Sequence, residues 1–263
     1  MNRSIAEEAE DRAEKRRGCV SSAASAKSSA SSVVKIFAVS ILLGFVTGFQ
    51  VAPAQQPPRD PRYPAHWFAP IVDPKKPDWE ILPQEAGPGE VILSKRNELG
   101  LLSNFAPTPF VFRGKRYASL EGFWQMMKYP EGRDDSRAKF PGLEWKYTRD
   151  QVAQMVSFEA NRAGALASAN MDKMKINWVS FEGKRFEYKP AKPGEHYKLI
   201  VEATWEKVKQ NPEVKKVLLS TGDLILKPDH HQELNAPPAW RYYEILMKIR
   251  SELHSPQKTQ RRQ

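Results

Sequence analysis

Proline is concentrated in one stretch of this chain, and that stretch most constrains what the chain can fold into. Ten of the 21 prolines lie between residues 53 and 90. Proline removes a backbone donor and blocks the preceding helical turn, so this stretch favours extended or polyproline backbone and excludes helix. The stretch also carries Trp67, Phe68 and Trp79. We interpret 55–90 as an extended arm that packs these rings onto a folded domain; a free linker is the alternative.

The N-terminal 54 residues do not belong to the predicted domain. The apolar run 36–49 holds no charge, and the small-x-small site Ala52-Pro53-Ala54 follows it. A run of this length suits the h-region of a secretory signal better than a membrane span. We predict that 1–54 is a leader, that cleavage follows Ala54, and that the protein is exported to the periplasm or beyond. An uncleaved signal anchor is the alternative, and a cytoplasmic location follows if the run is not used as a signal.

The segment before the apolar run is longer than the n-region of an ordinary signal. A translation start at Val33 or Val34 would give a signal of ordinary length. We therefore hypothesise a start at one of these residues. A mature N-terminus upstream of residue 33 would contradict this hypothesis.

Composition limits the class of protein and of partner. The chain is 40% hydrophobic with seven Trp, enough for a real core, and its single Cys19 excludes a disulfide scaffold and a Cys-rich metal site. The formal charge of +10 becomes +8 without 1–54, which holds seven Lys or Arg and five Asp or Glu. This charge favours an anionic partner, but by itself it does not select among nucleic acid, a nucleotide and a membrane surface. The basic residues are dispersed, so sequence-specific nucleic-acid binding is not expected.

The remaining chain alternates helical patterns with a few short strands, which predicts an α+β fold that is mainly helical. We place the domain at 91–253 and a basic tail at 254–263. Strands are predicted at 91–94, at 109–117 with a turn at Arg113-Gly114, and at 223–226. Helices are predicted at 120–129, from the capping box Thr148-x-x-Gln151 to Gly164, at 194–210, from Pro212 after the cap Asn211, and at 240–253.

Three polar residues of the helix 120–129 lie on one narrow stripe. At 100° per residue, Glu121, Gln125 and Lys128 fall within about 60° of one another beside an aromatic face. A solvated stripe on an amphipathic helix is the simpler interpretation of this spacing. The apolar surroundings favour a second interpretation, in which Glu121 is partly buried and its pKa is raised.

Two further segments carry candidate binding groups. The segment 100–110 offers Asn104 and Phe105, an amide and a ring suited to a planar base, although Ser103-Asn104 is also an ordinary turn sequence. Asp229 precedes two adjacent histidines, which diverge in regular structure and therefore do not predict a metal site. No nucleotide-binding glycine motif or metal-ligand spacing occurs, so we expect neither a cofactor nor a metal.

These residues resemble the signature of the NADAR family of YbiA-like proteins. The resemblance rests on 92–129, which holds the Ser-Asn-Phe segment, the Gly-Lys turn and the Glu-x-x-x-Gln-x-x-Lys pattern. Weaker matches are Asn177-Trp178, 211–223 and 246–250. It implies a YbiA-like fold. It also implies an N-glycosidase that hydrolyses ribosylated pyrimidine intermediates of the riboflavin pathway or ADP-ribosyl compounds, without metal or cofactor.

The resemblance also implies which residues act. Its catalytic Glu, Asp and Lys carry over to Glu121, Asp229 and Lys128, and its Trp carries over to Trp178, which would stack on the base. Lys128 would pair with a phosphate or attack the opened sugar as an amine. The segment 181–196 resembles an insertion beside the pocket. The alternatives are a non-catalytic ADP-ribose or nucleotide reader and a domain that acts on an unrelated extracellular glycoside.

Overall fold

A computed structural model describes residues 60–255 of the 263-residue chain. The predicted leader, its signal or anchor run 36–49, the translation start and most of the basic tail lie outside these residues. The described residues form an α+β fold. Its helices are α1 (Leu120–Met126), α2 (Arg149–Ala153), α3 (Ser157–Met174), α4 (Glu195–Gln210), α5 (Pro212–Ser220) and α6 (Tyr242–His254). In this part of the chain, no helix has the length and apolarity needed to cross a membrane.

Six short strands form three two-stranded sheets within residues 60–255. The strands are β1 (Glu90–Ile92), β2 (Phe110–Phe112), β3 (Lys115–Tyr117), β4 (Trp178–Phe181), β5 (Lys184–Glu187) and β6 (Ile225–Lys227). Strands β1 and β6 pair in parallel, with Val91 opposite Leu226, while β2–β3 and β4–β5 are antiparallel hairpins. The predicted turn at Arg113-Gly114 is confirmed, because both residues adopt positive φ, as a tight hairpin turn requires.

Helix α1 is the centre of the core. All seven of its residues are buried, and it packs against α2, α3 and α4. Ser119 begins the helix: its Oγ accepts from Gly122 N at 2.9 Å and donates to Met155 O at 2.8 Å. The predicted helix 120–129 ends early, at Met126. The Met127 carbonyl instead accepts from Ser180 N and from the Arg137 guanidinium, so it is not available to continue the helix.

The single helix predicted from Thr148 to Gly164 is wrong in its continuity and in its end. The capping box is present, with Gln151 N donating to Thr148 Oγ1, but α2 ends at Ala153 and α3 runs on to Met174. The break exists because long-range bonds take the intervening carbonyls: Ala118 N donates to Ala153 O, and Ser119 donates to Met155 O.

The helices predicted in the C-terminal half are confirmed, with small shifts. Helix α4 covers the predicted 194–210, α5 begins at Pro212, and α6 occupies most of 240–253. The Asn211 side chain does not cap α5; it donates to Pro109 O at 3.0 Å and to Lys207 O at 2.8 Å.

Rings of the proline-rich segment lie in the core of the fold. Trp67 and Phe68 are 1% and 6% exposed, and Trp67 Nε1 donates to Glu98 Oε1 at 2.6 Å. Further along, Ile81 N donates to Asp229 O at 2.9 Å. These contacts bring Trp79, which is 41% exposed, to the surface cavity described next.

Candidate active site

A cavity of about 580 Å³ lies beside α1. It brings together five of the residues that the sequence singled out: Asn104, Phe105, Glu121, Gln125 and Lys128. The other lining residues come from the proline-rich segment, the loop between β1 and β2, α1, α3, the end of the β4–β5 hairpin, the segment before α6 and the first residue of α6: Trp79, Lys95, Ser103, Trp124, Phe158, Asn161, Ala165, Ser168, Tyr188, Lys189, His230, His231, Gln232, Trp240 and Tyr242.

Glu121 is a buried carboxylate in the wall of this cavity. Its side chain accepts hydrogen bonds from Gln125 Nε2 at 2.7 Å and Asn161 Nδ2 at 3.5 Å. Burial raises the pKa of Glu121, and these bonds, with the positive charges of Lys128 and Lys95, oppose the rise. The polar stripe of α1 is therefore buried rather than solvated: Glu121, Gln125 and Lys128 are 6%, 7% and 4% exposed.

Lys128 lies two residues beyond the end of α1, and its ammonium group lies among neutral hydrogen-bond partners. Nζ donates to Ser168 Oγ at 2.9 Å and to Gly164 O at 3.3 Å, and it lies 4.9 Å from the centroid of the Tyr188 ring. Burial lowers the pKa of Lys128 to about 8, against the opposing effect of the Glu121 carboxylate. The side chain thus changes charge close to neutral pH.

The loop that carries Asn104 and Phe105 is fastened to α1 and α4. Asn104 O accepts from the backbone N of Glu121 at 2.9 Å, and Ser103 O accepts from Lys207 Nζ at 2.6 Å. Lys207 is fully buried, and burial lowers its pKa to about 7. The Phe105 ring meets the Phe158 ring edge to face at 5.2 Å, which forms an aromatic wall of the cavity.

The structure places Asp229 behind the cavity wall rather than in it. The carboxylate is 1% exposed and is held by Lys95 Nζ at 2.5 Å and by His230 Nδ1 at 3.2 Å. Burial acts to raise the pKa of Asp229, but the His230 hydrogen bond and the charge and hydrogen bond of Lys95 outweigh it, and the pKa is lowered. Lys95 and His230 line the cavity, so Asp229 is placed to act through them.

Trp178, predicted to stack on the base, is not among the residues that line the cavity. Its ring lies 4.0 Å from the Arg185 guanidinium and 4.7 Å from that of Arg137. The stacking of Trp178 on the base stays a prediction. The Phe, Tyr and Trp side chains that line the cavity are Trp79, Phe105, Trp124, Phe158, Tyr188, Trp240 and Tyr242.

Several lining residues were missed from the sequence. The segment 181–196, which resembled an insertion beside the pocket, contributes Tyr188 and Lys189 to the cavity lining directly after β5. Asn161 lies on α3 and contacts Glu121. The sequence did not predict this contact, because it began this helix at Thr148 rather than at Ser157 and so did not show which face of the helix carries Asn161. Within residues 60–255, no cluster of three or more His, Cys, Asp or Glu side chains is placed to hold a metal ion.

Comparisons with known proteins add one weak similarity. No family model matches the chain, and no curated protein matches it. Among solved structures, the chain is similar to the NMR structure of the E. coli protein YbiA, with 19% identity over 61% of this chain and 81% of that one, at a TM-score of 0.35. This similarity is too low to identify a family, and the candidate site rests on its own geometry.

Proposed function

We propose that this protein is a hydrolase that cleaves the N-glycosidic bond of a ribosylated, phosphate-bearing substrate. One observation carries the proposal: a buried carboxylate with a raised pKa, Glu121, lines a cavity that also presents aromatic rings and ammonium groups. Rings suit a base and ammonium groups suit a phosphate. The sequence resemblance to the NADAR family favours the same reaction.

Glu121 supplies the chemistry in this proposal. As the C1′–N bond breaks, positive charge develops at C1′, and a fixed carboxylate in a poorly hydrated site stabilises it. Water adds to C1′ and gives one proton to Glu121, the departing base nitrogen takes a proton from solvent, and Glu121 returns its proton to solvent. Because burial raises the pKa of Glu121, its carboxylate is a stronger base than an exposed glutamate.

The neighbouring groups position the substrate. Asn104 and the Phe105–Phe158 wall hold the base, and Gln125 and Asn161 hold the Glu121 carboxylate. Asp229 positions Lys95 and His230 and does not itself contact the substrate. Lys128 pairs with the phosphate or, as a free amine, attacks the opened sugar.

Two substrate classes and one non-catalytic function compete within this proposal. The substrate is either a ribosylated pyrimidine with a 5′-phosphate or an ADP-ribosyl compound. An export signal over 36–49 would favour the second class, because phosphorylated biosynthetic intermediates are cytosolic. A non-catalytic ADP-ribose or nucleotide reader would use the same rings and ammonium groups without needing the buried carboxylate.

A base-release assay with the full chain tests the proposed function. The substrates are ribosylated pyrimidine 5′-phosphates, ADP-ribosyl-guanine and the matching unphosphorylated nucleosides, and released base is measured by chromatography. We expect the protein to hydrolyse at least one phosphorylated substrate and to release one molecule of free base for each molecule of sugar. Tight binding of the whole panel without base release would instead support the reader function.

A further inference from the structure

Two ammonium groups converge on one ring at the Tyr188 end of the cavity. The Nζ atoms of Lys128 and Lys189 lie 4.9 and 5.8 Å from the centroid of the Tyr188 ring. Among residues 60–255, neither ammonium group forms an ion pair with a carboxylate. Lys189 adds a second positive charge close enough to Lys128 to oppose its protonation, and Glu121 and Asp172 offset the Lys128 charge only from beyond ion-pair distance.

The opposite end of the cavity is different. There the Lys95 ammonium is neutralised by Asp229, with Nζ to Oδ2 at 2.5 Å, and its other neighbours are the rings of Phe105 and Trp79, at 5.2 and 5.9 Å. The cavity therefore has two ammonium groups without a salt-bridge partner at the Tyr188 end and an ion-paired ammonium beside aromatic rings at the other.

Hydrogen-bonding capacity is also unused near Lys189. Its Nζ lies 5.2 Å from the centroid of the Trp240 ring, and the Trp240 Nε1 atom is buried without a hydrogen-bond partner. Indole N–H is a donor only, so its natural partner is an acceptor such as a phosphate oxygen. Ser168 Oγ accepts from Lys128, which leaves its own O–H to donate to a ligand.

We propose that Lys128 and Lys189, with Ser168 and Trp240, form a phosphate-binding subsite, and that the substrate lies with its phosphate at Tyr188 and its base against the wall formed by Phe105 and Phe158. The subsite adds a specificity-determining residue, Lys189, from the segment that follows β5. The identity of the rest of the ligand rests on the proposed function. The predicted affinity for phosphate does not depend on that function.

Binding measurements on the full chain test this subsite. The variants are Lys189→Met, which removes the charge and keeps the stem, Lys189→Arg, which keeps the charge, and the control Lys192→Met on the same exposed segment. The probes are ribose 5-phosphate and ADP-ribose, each compared with its phosphate-free counterpart, ribose or adenosine, by titration calorimetry. The two phosphorylated probes distinguish a monoester from a diphosphate.

We expect Lys189→Met to weaken binding of at least one phosphorylated probe about tenfold, and to leave ribose and adenosine unchanged. Lys189→Arg and Lys192→Met should stay near wild type, and the loss should shrink at high salt because the missing interaction is ionic. Equal affinity of wild type and Lys189→Met for both phosphorylated probes, or no binding of either to wild type, would overturn the subsite. If Lys189→Met loses phosphate affinity but wild type releases no base, the subsite stands and the hydrolase function fails.

Discussion

At the scale of single residues, the charge of Lys128 governs how the site responds to pH. A buried ammonium whose hydrogen-bond partners are a carbonyl and a hydroxyl loses its proton more easily than an exposed one. Its pKa of about 8 means that the charged form predominates at neutral pH and is lost as the pH rises through that value. Phosphate pairing requires the charged form.

We expect kcat/KM for a phosphorylated substrate to fall as the pH rises above about 8. A pH profile of base release, measured for wild type and Lys128→Arg, checks this. The guanidinium stays protonated over this range, so the decline should be absent or displaced upward in the variant. A rise through pH 8 in wild type would contradict phosphate pairing and indicate that Lys128 acts as a free amine.

At the scale of secondary-structure elements, the contact between α1 and α3 holds the Glu121 carboxylate in place. Gly164 of α3 faces the Gln125 side chain so closely that a Cβ there would lie 1.8 Å from Gln125 Oε1. Gln125 in turn donates to Glu121 at 2.7 Å. The glycine therefore provides the space in which the amide reaches the carboxylate.

Gly164→Ala should displace the Gln125 amide and lower kcat at least about tenfold, since a misplaced catalytic group is costly. Steady-state base release and far-UV circular dichroism measure activity and fold in the same preparation. The control is Gly132→Ala, where a Cβ meets nothing within 4 Å. Activity of Gly164→Ala equal to that of Gly132→Ala would show that the Gln125 contact is not needed.

The sequence predicted the elements whose signals are local and missed those set by distant contacts. The capping box at Thr148 and the turn at Arg113-Gly114 are local, and both are present. The break after α2 depends on Ala118 and Ser119, and the pairing of β1 with β6 joins strands far apart in the chain. These bonds join residues that are far apart in the chain, so a short stretch of sequence does not predict them.

The same distinction applies to the site. Glu121 and Gln125 share one face of α1, as their spacing predicts, and Lys128 joins them from the turn that follows the helix. Trp178 was assigned by motif match, and its surroundings depend on Arg137 and Arg185, whose positions the sequence does not reveal.

At the scale of the whole molecule, the proline-rich segment contributes to both the core and the cavity. Trp67 is buried with the domain's own residues, and Trp79 lines the cavity beside Lys95. Over the residues that the structure describes, a segment with these contacts packs on the domain, and we expect it to unfold together with the domain.

We expect Trp67→Ala to lower the free energy of unfolding by about 3–5 kcal/mol, the usual cost of removing a large buried aromatic side chain. Val72→Ala, on the same segment at 92% exposure, is the control and should change it by less than about 0.5 kcal/mol. Urea unfolding followed by Trp fluorescence and circular dichroism measures both. Equal stability of the two variants would indicate a free linker.

The central claim is that Glu121 performs the chemistry of a nucleotide-binding cavity. Its most direct test is single-turnover base release by Glu121→Gln, measured with the Kd of the same phosphorylated substrate. The exposed Glu159→Gln is the control. The account predicts that Glu121→Gln binds substrate within about threefold of wild type and releases base at least about 1,000-fold more slowly, while Glu159→Gln matches wild type in both. Base release by Glu121→Gln at the wild-type rate would contradict it.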